Sequence, residues 1–190
     1  MNRKILVSIL LFFVLPISFL SCGDDDEEDI PQKIADSQFT VTNGSSQQKY
    51  MAVVANVKNE SAYSKITLST TDVKGNSDYG SYTGGELVIT HTLQGSGVYD
   101  IVSPNGVVSA SQTREKLLSL NMELGTGTSS EYIYYSMTYS ENSVAYVEEK
   151  NGKYYITINE PVRLSFGGGH YNPSLSEPNS HVEVVISMNR

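Results

Sequence analysis

The sequence predicts an all-β chain, an antiparallel β-sandwich of about ten short strands in a single domain. Three observations carry that expectation. The chain holds thirteen tyrosines and no tryptophan among many Val, Thr, Ser and Gly residues, types that suit pleated surfaces and the turns between them. Apolar and polar residues alternate in short runs, as in Leu118, Leu120, Met122 and Leu124 against Ser119, Asn121 and Glu123, and period two is the mark of a half-buried strand. Turn-forming Gly, Pro, Asn and Ser clusters punctuate these runs at fairly even spacing, the pattern of a sandwich or barrel.

Taken in order, 38–42 reads as a first strand, stopped by Asn43-Gly44-Ser45-Ser46. The run 50–57 is short and valine-rich, which favours a buried strand. Residues 64–71 alternate, and 72–85 is a Gly/Asn/Asp/Ser loop. Residues 86–91 and 97–103 read as strands, the second with Tyr99 and Ile101 opposite Val98, Asp100 and Val102. Pro104-Asn105-Gly106 is a turn, since Pro fixes φ and Asn-Gly accepts positive φ, and 107–110 returns as a strand. Residues 116–124 form a strand, and 131–140 is a tyrosine-rich one. Lys150-Asn151-Gly152 between 144–148 and 154–158 is the strongest local signal, an Asn-Gly hairpin between β-patterned runs. Residues 162–166 form a strand after Pro161, 167–180 is a second loop, and 181–188 closes the domain.

The N-terminus supplies an address. Arg3 and Lys4 precede an apolar run, Ile5 to Leu20, that ends at Ser21-Cys22. A basic start, a short apolar stretch and a small residue before the cut are the parts of a secretory signal. The run is sixteen residues long and contains Pro16, short of the ~20 residues that span a bilayer as a helix. Cys22 is the chain's single cysteine, so it has no intramolecular disulfide partner. A lone thiol at this position reads as a lipidated residue, and two or more acyl chains hold a protein stably on a membrane. Behind it, Asp24, Asp25, Asp26, Glu27, Glu28 and Asp29 repel one another and stay solvated and extended. The run lacks the spaced ligands of a calcium loop. The expected organisation is therefore signal peptide 1–21, lipidated cysteine and acidic tether 22–38, and β domain 39–190.

Phe19-Leu20-Ser21-Cys22 resembles a bacterial lipobox, and the acidic run after it resembles the surface-export signal of Bacteroidota lipoproteins. The stretch SVAYVEEKNGKYYITINEPVRLSF, residues 143–166, resembles the C-terminal part of uncharacterised lipoproteins of that group. These resemblances imply acylation (palmitate) at Cys22, an export role for Asp24–Asp29, and an outer-membrane position facing the cell exterior. Gly23 agrees, because the aspartate that serves as a retention signal directly after the cysteine is missing.

Charge and motifs narrow the function classes. From Ile30 onward the balance of Lys+Arg against Asp+Glu is 11 − 15 = −4, without the basic stripe that nucleic-acid binding requires. His91, His170 and His181 show no metal-ligand spacing, and each reads as a solvated surface histidine. Gly167-Gly168-Gly169 lacks the lysine and helix of a phosphate loop. Glu148-Glu149 are adjacent beside a turn rather than opposed across a cleft, as glycosidase carboxylates are. No cofactor and no catalytic residue is expected. The tyrosines carry the recognition value, being rigid amphipathic rings. Tyr79, Tyr82, Tyr135, Tyr155 and Tyr171 are the candidate contact positions, and the pairs Tyr134-Tyr135 and Tyr154-Tyr155 must each divide between the two faces of a strand. The expected function is a membrane-tethered binding or structural accessory for an extracellular glycan or protein. The alternatives are an envelope enzyme working through loops 72–85 and 167–180, or a subunit that lends a sheet edge to a larger envelope assembly.

Overall fold

The computed structural model describes residues 37–70, 83–109, 114–127, 131–137, 142–174 and 178–188. Cys22, the acidic run, Tyr79 and Tyr82 lie outside the described residues, as does most of the 72–85 loop. Eleven strands and one helix follow in order: β1 (Gln38–Asn43), β2 (Ser46–Met51), β3 (Val54–Asn59), β4 (Tyr63–Ser69), β5 (Gly85–Thr92), β6 (Gly97–Ile101), α1 (Pro104–Ser109), β7 (Leu117–Gly125), β8 (Tyr132–Ser136), β9 (Val144–Lys150), β10 (Lys153–His170) and β11 (His181–Ser187).

The β9–β10 hairpin forms where the sequence placed it. Lys150 pairs with Lys153, and Asn151 and Gly152 between them have φ of 54° and 71°, the double positive φ of a type I′ turn. A Gly152→Val variant is expected to lose about 1–2 kcal/mol, the cost of a left-handed residue with a side chain. Urea denaturation checks this, and an unchanged midpoint would remove the turn from the stability account.

All eleven strands join one sheet, in the order β2-β1-β11-β10-β9-β6-β7-β5-β4-β3, with β8 paired to both β10 and β7. The all-β expectation holds, but the sheet is mixed rather than purely antiparallel. β6 and β7 run parallel, with Asp100 opposite Leu117 and Ile101 opposite Leu118. Parallel neighbours cannot be joined by a tight turn, and α1 occupies the connection. The turn and returning strand expected at 104–110 are instead this helix. Pro104 suits a first helical position, and Val107 buries completely beneath it.

β10 is a second departure. Residues expected to form two strands and a loop form one strand of 18 residues. Its ladder with β11 shifts register between Ile158 and Val162, a bulge that accommodates Pro161, which has no N–H to give. Gly167 to His170 continue the strand against β8. Gly167 and Gly169 serve close approach rather than looping: a Cβ on Gly167 would lie 2.9 Å from Cδ1 of Tyr134, so the Tyr134 ring rests on bare backbone.

The sheet wraps on itself. Ala52 and Val53 alone separate β2 from β3, the two ends of the strand order. Ala52 N–H donates to the Ser37 carbonyl at 2.9 Å and Val53 N–H to the Ser69 carbonyl at 2.9 Å, so one run of chain carries the ladder from β1 to β4. A single apolar cluster inside draws residues from all eleven strands.

Between β7 and β10 the wrap divides. At one end β6 and β9 stand side by side between them, whereas at the other β8 alone bridges Met122–Gly125 to Phe166–His170. The two ends differ accordingly in their contents.

Candidate functional site

The end bridged by β8 is open. A cavity of about 580 Å³ lies between the β1–β2 hairpin on one side and β7, β8 and the start of β11 on the other. Its floor is aliphatic, from Val41, Leu124, Ile133 and Val182, and its rim carries uncharged amides from Asn43, Gln47, Gln48 and Asn179. Position along the hairpin explains this division. Val41 and Tyr50 turn inward in their strands, while Ser46, Gln47 and Gln48 begin β2 in full exposure.

Two tyrosines complete the wall, Tyr50 and Tyr135. Tyr50 stacks on Phe39 with ring centroids 5.0 Å apart and planes within 9°. Burial, reinforced by Tyr135, pushes its hydroxyl up to about 12. Burial also raises Tyr135, against a backbone hydrogen bond from Asn179. Both phenols stay neutral at any physiological pH and can donate as well as accept. Among the described residues, the lining carries no ionisable side chain besides these phenols. Such a volume with an apolar floor and a few polar rim groups suits a small neutral amphipath.

The opposite end is filled by rings. His91 meets Tyr154 at 4.7 Å and Tyr99 at 5.7 Å, both edge-on. Tyr99 Oη donates to the Gly95 carbonyl at 2.6 Å and lies 3.2 Å from that of Thr92. Lys116 sits 5.8 Å from the Tyr99 ring centre and donates to the Ser96 carbonyl. His91 is 1% exposed, which corrects the surface histidine expected from the sequence. Leu87, Ile89 and His91 share one face of β5, and that face is the core face. His170 is exposed at the end of β10 rather than in a loop, and His181 Nδ1 contacts Arg163 and Ser180.

The buried imidazole makes stability depend on pH. Its Nδ1 lies 3.0 Å from the Thr92 carbonyl, which can only accept, so Nδ1 carries the proton and Nε2 is left as a buried lone pair with no partner. Burial lowers the pKa, with the Thr92 carbonyl and Glu149 pulling weakly the other way. The unfolded chain therefore binds a proton that the folded chain refuses between that lowered value and the ordinary ~6.5. Stability is full above about pH 6.5 and falls as pH drops through this window. Urea midpoints at descending pH are expected to fall in the wild type and to fall less in His91→Leu. Parallel pH profiles for the two would overturn the assignment.

The candidate tyrosines separate. Tyr135 is the inward member of its pair, 3% exposed, and reaches the cavity. Tyr155 is the outward member of its pair and half-buried, opposite Glu148. Tyr171 packs edge-on against Phe166 at 6.0 Å, and Phe166 against Tyr135 at 6.3 Å, so these three rings form one chain. Tyr50, Leu124, Ile133 and Asn179 were not singled out by sequence. The apolar run at 50–57 was the one available hint of Tyr50. No protein-family model matches this chain, no curated protein is similar to it, and no solved structure matches its fold.

Proposed function

We propose that this chain is a lipid-anchored binding module of the cell envelope, acylated at Cys22, exported by its acidic run and taking a small neutral amphipath into the open end of its wrapped sheet. The observation that carries the reading is the cavity, with its aliphatic floor, two neutral phenols and amide rim. Placement supports it. The chain enters the domain at Gln38, the cavity surrounds the other end of β1 at Val41 and Asn43, and a six-residue strand separates those levels by roughly 15–20 Å. A membrane anchor on the entering chain attaches at the end of β1 away from the mouth. From Cys22 to Ser37 is 37 − 22 = 15 residues, a reach of up to about 50 Å.

Three measurements test this. Metabolic labelling with palmitate is expected to mark the wild type and not Cys22→Ala, and protease shaving of intact cells is expected to remove the wild type but spare a variant with Asp24 to Asp29 changed to Ala. The neutral amphipathic fluorophore N-phenyl-1-naphthylamine is expected to brighten on binding the wild type and to bind Ile133→Glu at least about tenfold more weakly, since a carboxylate on an apolar floor must be desolvated. Equal brightening in both proteins would remove the cavity as the site.

A further inference from the structure

The outer face of the sheet carries a separate groove of about 300 Å³ over β4, β5 and β7, walled on one side by Pro104 and Val108 of α1. We infer that it is a binding site for one ring of a neutral sugar, distinct from the open-end cavity and sharing no residue with it.

Strand registry builds the groove floor. Lys65, Thr90 and Ser119 stand in one transverse row, and Thr67, Val88, Asn121 and Ser136 in the next. Ser119 is fully buried at the base, yet its Oγ has no hydrogen-bond partner. A buried hydroxyl left unpaired is costly and rare, and a ligand hydroxyl admitted by a small shift of the groove wall supplies the partner it lacks. Asn121 is oriented for the same task. Its Oδ1 accepts from Ser136 Oγ at 2.7 Å, which fixes the amide and leaves its NH₂ as the donor.

Aromatic rings border the floor at both ends, Tyr63 and Tyr134, each half-buried. Tyr134 is held in place because Gly167 offers no Cβ beneath it. A fixed ring with open hydroxyl, amide and ammonium groups beside it matches the two surfaces of a pyranose. The C–H face packs on the ring, and the equatorial hydroxyls meet the polar floor.

Charge selects the neutral class. Among the described residues that line the groove, Lys65 is the single cation, and Glu86 and Glu123 stand opposite each other in the row shared with Tyr134. A carboxylated sugar gains Lys65 but faces the two acids at the Tyr134 edge of the groove, and an amino sugar meets the reverse. A sugar without charge avoids both penalties.

The test is a titration of the mature chain, followed by amide NMR, with methyl β-glucopyranoside, glucuronate and glucosamine as probes. The neutral glycoside is expected to shift amides of β4, β5 and β7 with millimolar affinity. Tyr134→Ala is expected to weaken it about tenfold, and Ser119→Ala about threefold to tenfold, the worth of one ring contact and one hydrogen bond. Ile133→Glu, in the other cavity, is expected to leave it unchanged, which separates failure of this site from failure of the open-end cavity. No shifts up to about 50 mM, shifts that survive Tyr134→Ala in a protein whose remaining spectrum is folded, or tighter binding of either charged probe would overturn the assignment.

Discussion

Phe39→Ala is expected to lower stability by about 3–5 kcal/mol, the range for emptying a buried aromatic site. Phe39 is wholly buried, stacks on Tyr50, and lies 3.1 Å from where a Cβ on Gly85 would sit. It therefore ties the β1–β2 hairpin to β5 across the core. With urea slopes of about 1–3 kcal/mol/M, the midpoint should fall by roughly 1–5 M. Phe39→Leu keeps most of the volume and should cost less than about half as much. The open end should suffer with the core, because Tyr50 loses its stacked neighbour and naphthylamine binding weakens in the folded fraction. A loss below about 1 kcal/mol would show that the hairpin docks by its backbone ladder alone.

The second large effect is expected at Gly169, where alanine should cost about 2–4 kcal/mol and release β8. Its φ is 154°, and a Cβ would run into the Tyr132 carbonyl oxygen and come within 3.0 Å of the Ile133 Cα. Both obstacles are backbone, so no rotamer change relieves them. Gly168 is the internal control: its φ is 135° but nothing lies within 4 Å of a Cβ there. Gly168→Ala should carry the conformational cost without the collision. Hydrogen exchange of the Tyr132–Ser136 amides reads the difference. Fast exchange in Gly169→Ala with protection retained in Gly168→Ala supports the collision, and equal exchange in the two sinks it.

Much of the fold was legible because period-two patterning and turn chemistry are local. The β5, β7 and β9 segments and the start of β10 were placed within a residue or two from alternation and from Asn151-Gly152. What was not legible depends on partners distant in sequence. The glycine run at 167–169 reads as a loop by composition, and it becomes strand only because Tyr132 and Tyr134, more than thirty residues earlier, press against it. The helix at 104–109 answers to the parallel pairing of β6 with β7, which no local signal announces. His91 was readable in part. The alternation Leu87, Ile89, His91 sets it on the inward face, but the Tyr99 and Tyr154 rings that receive it come from β6 and β10. The candidate sites fared similarly. Tyrosine abundance pointed to recognition, while the cavity draws its residues from five separate strands, β1, β2, β7, β8 and β11, and no spacing in the sequence links them.

The uneven division between β7 and β10 makes the wrapped sheet taper. Two strands, β6 and β9, fill the gap at one end and β8 alone fills it at the other. At about 4.8 Å per strand, the wider end has surplus interior, and His91, Tyr99 and Tyr154 stopper it. The narrower end instead opens into the cavity of about 580 Å³ between the β1–β2 hairpin, β7 and β8. Strand count thus works as a dial on which end admits a guest. Lengthening, shortening or recolouring the β1–β2 and β7–β8 tips would retune the guest while the stoppered base goes on holding the domain together, and that separation makes this scaffold a natural starting point for engineered receptors.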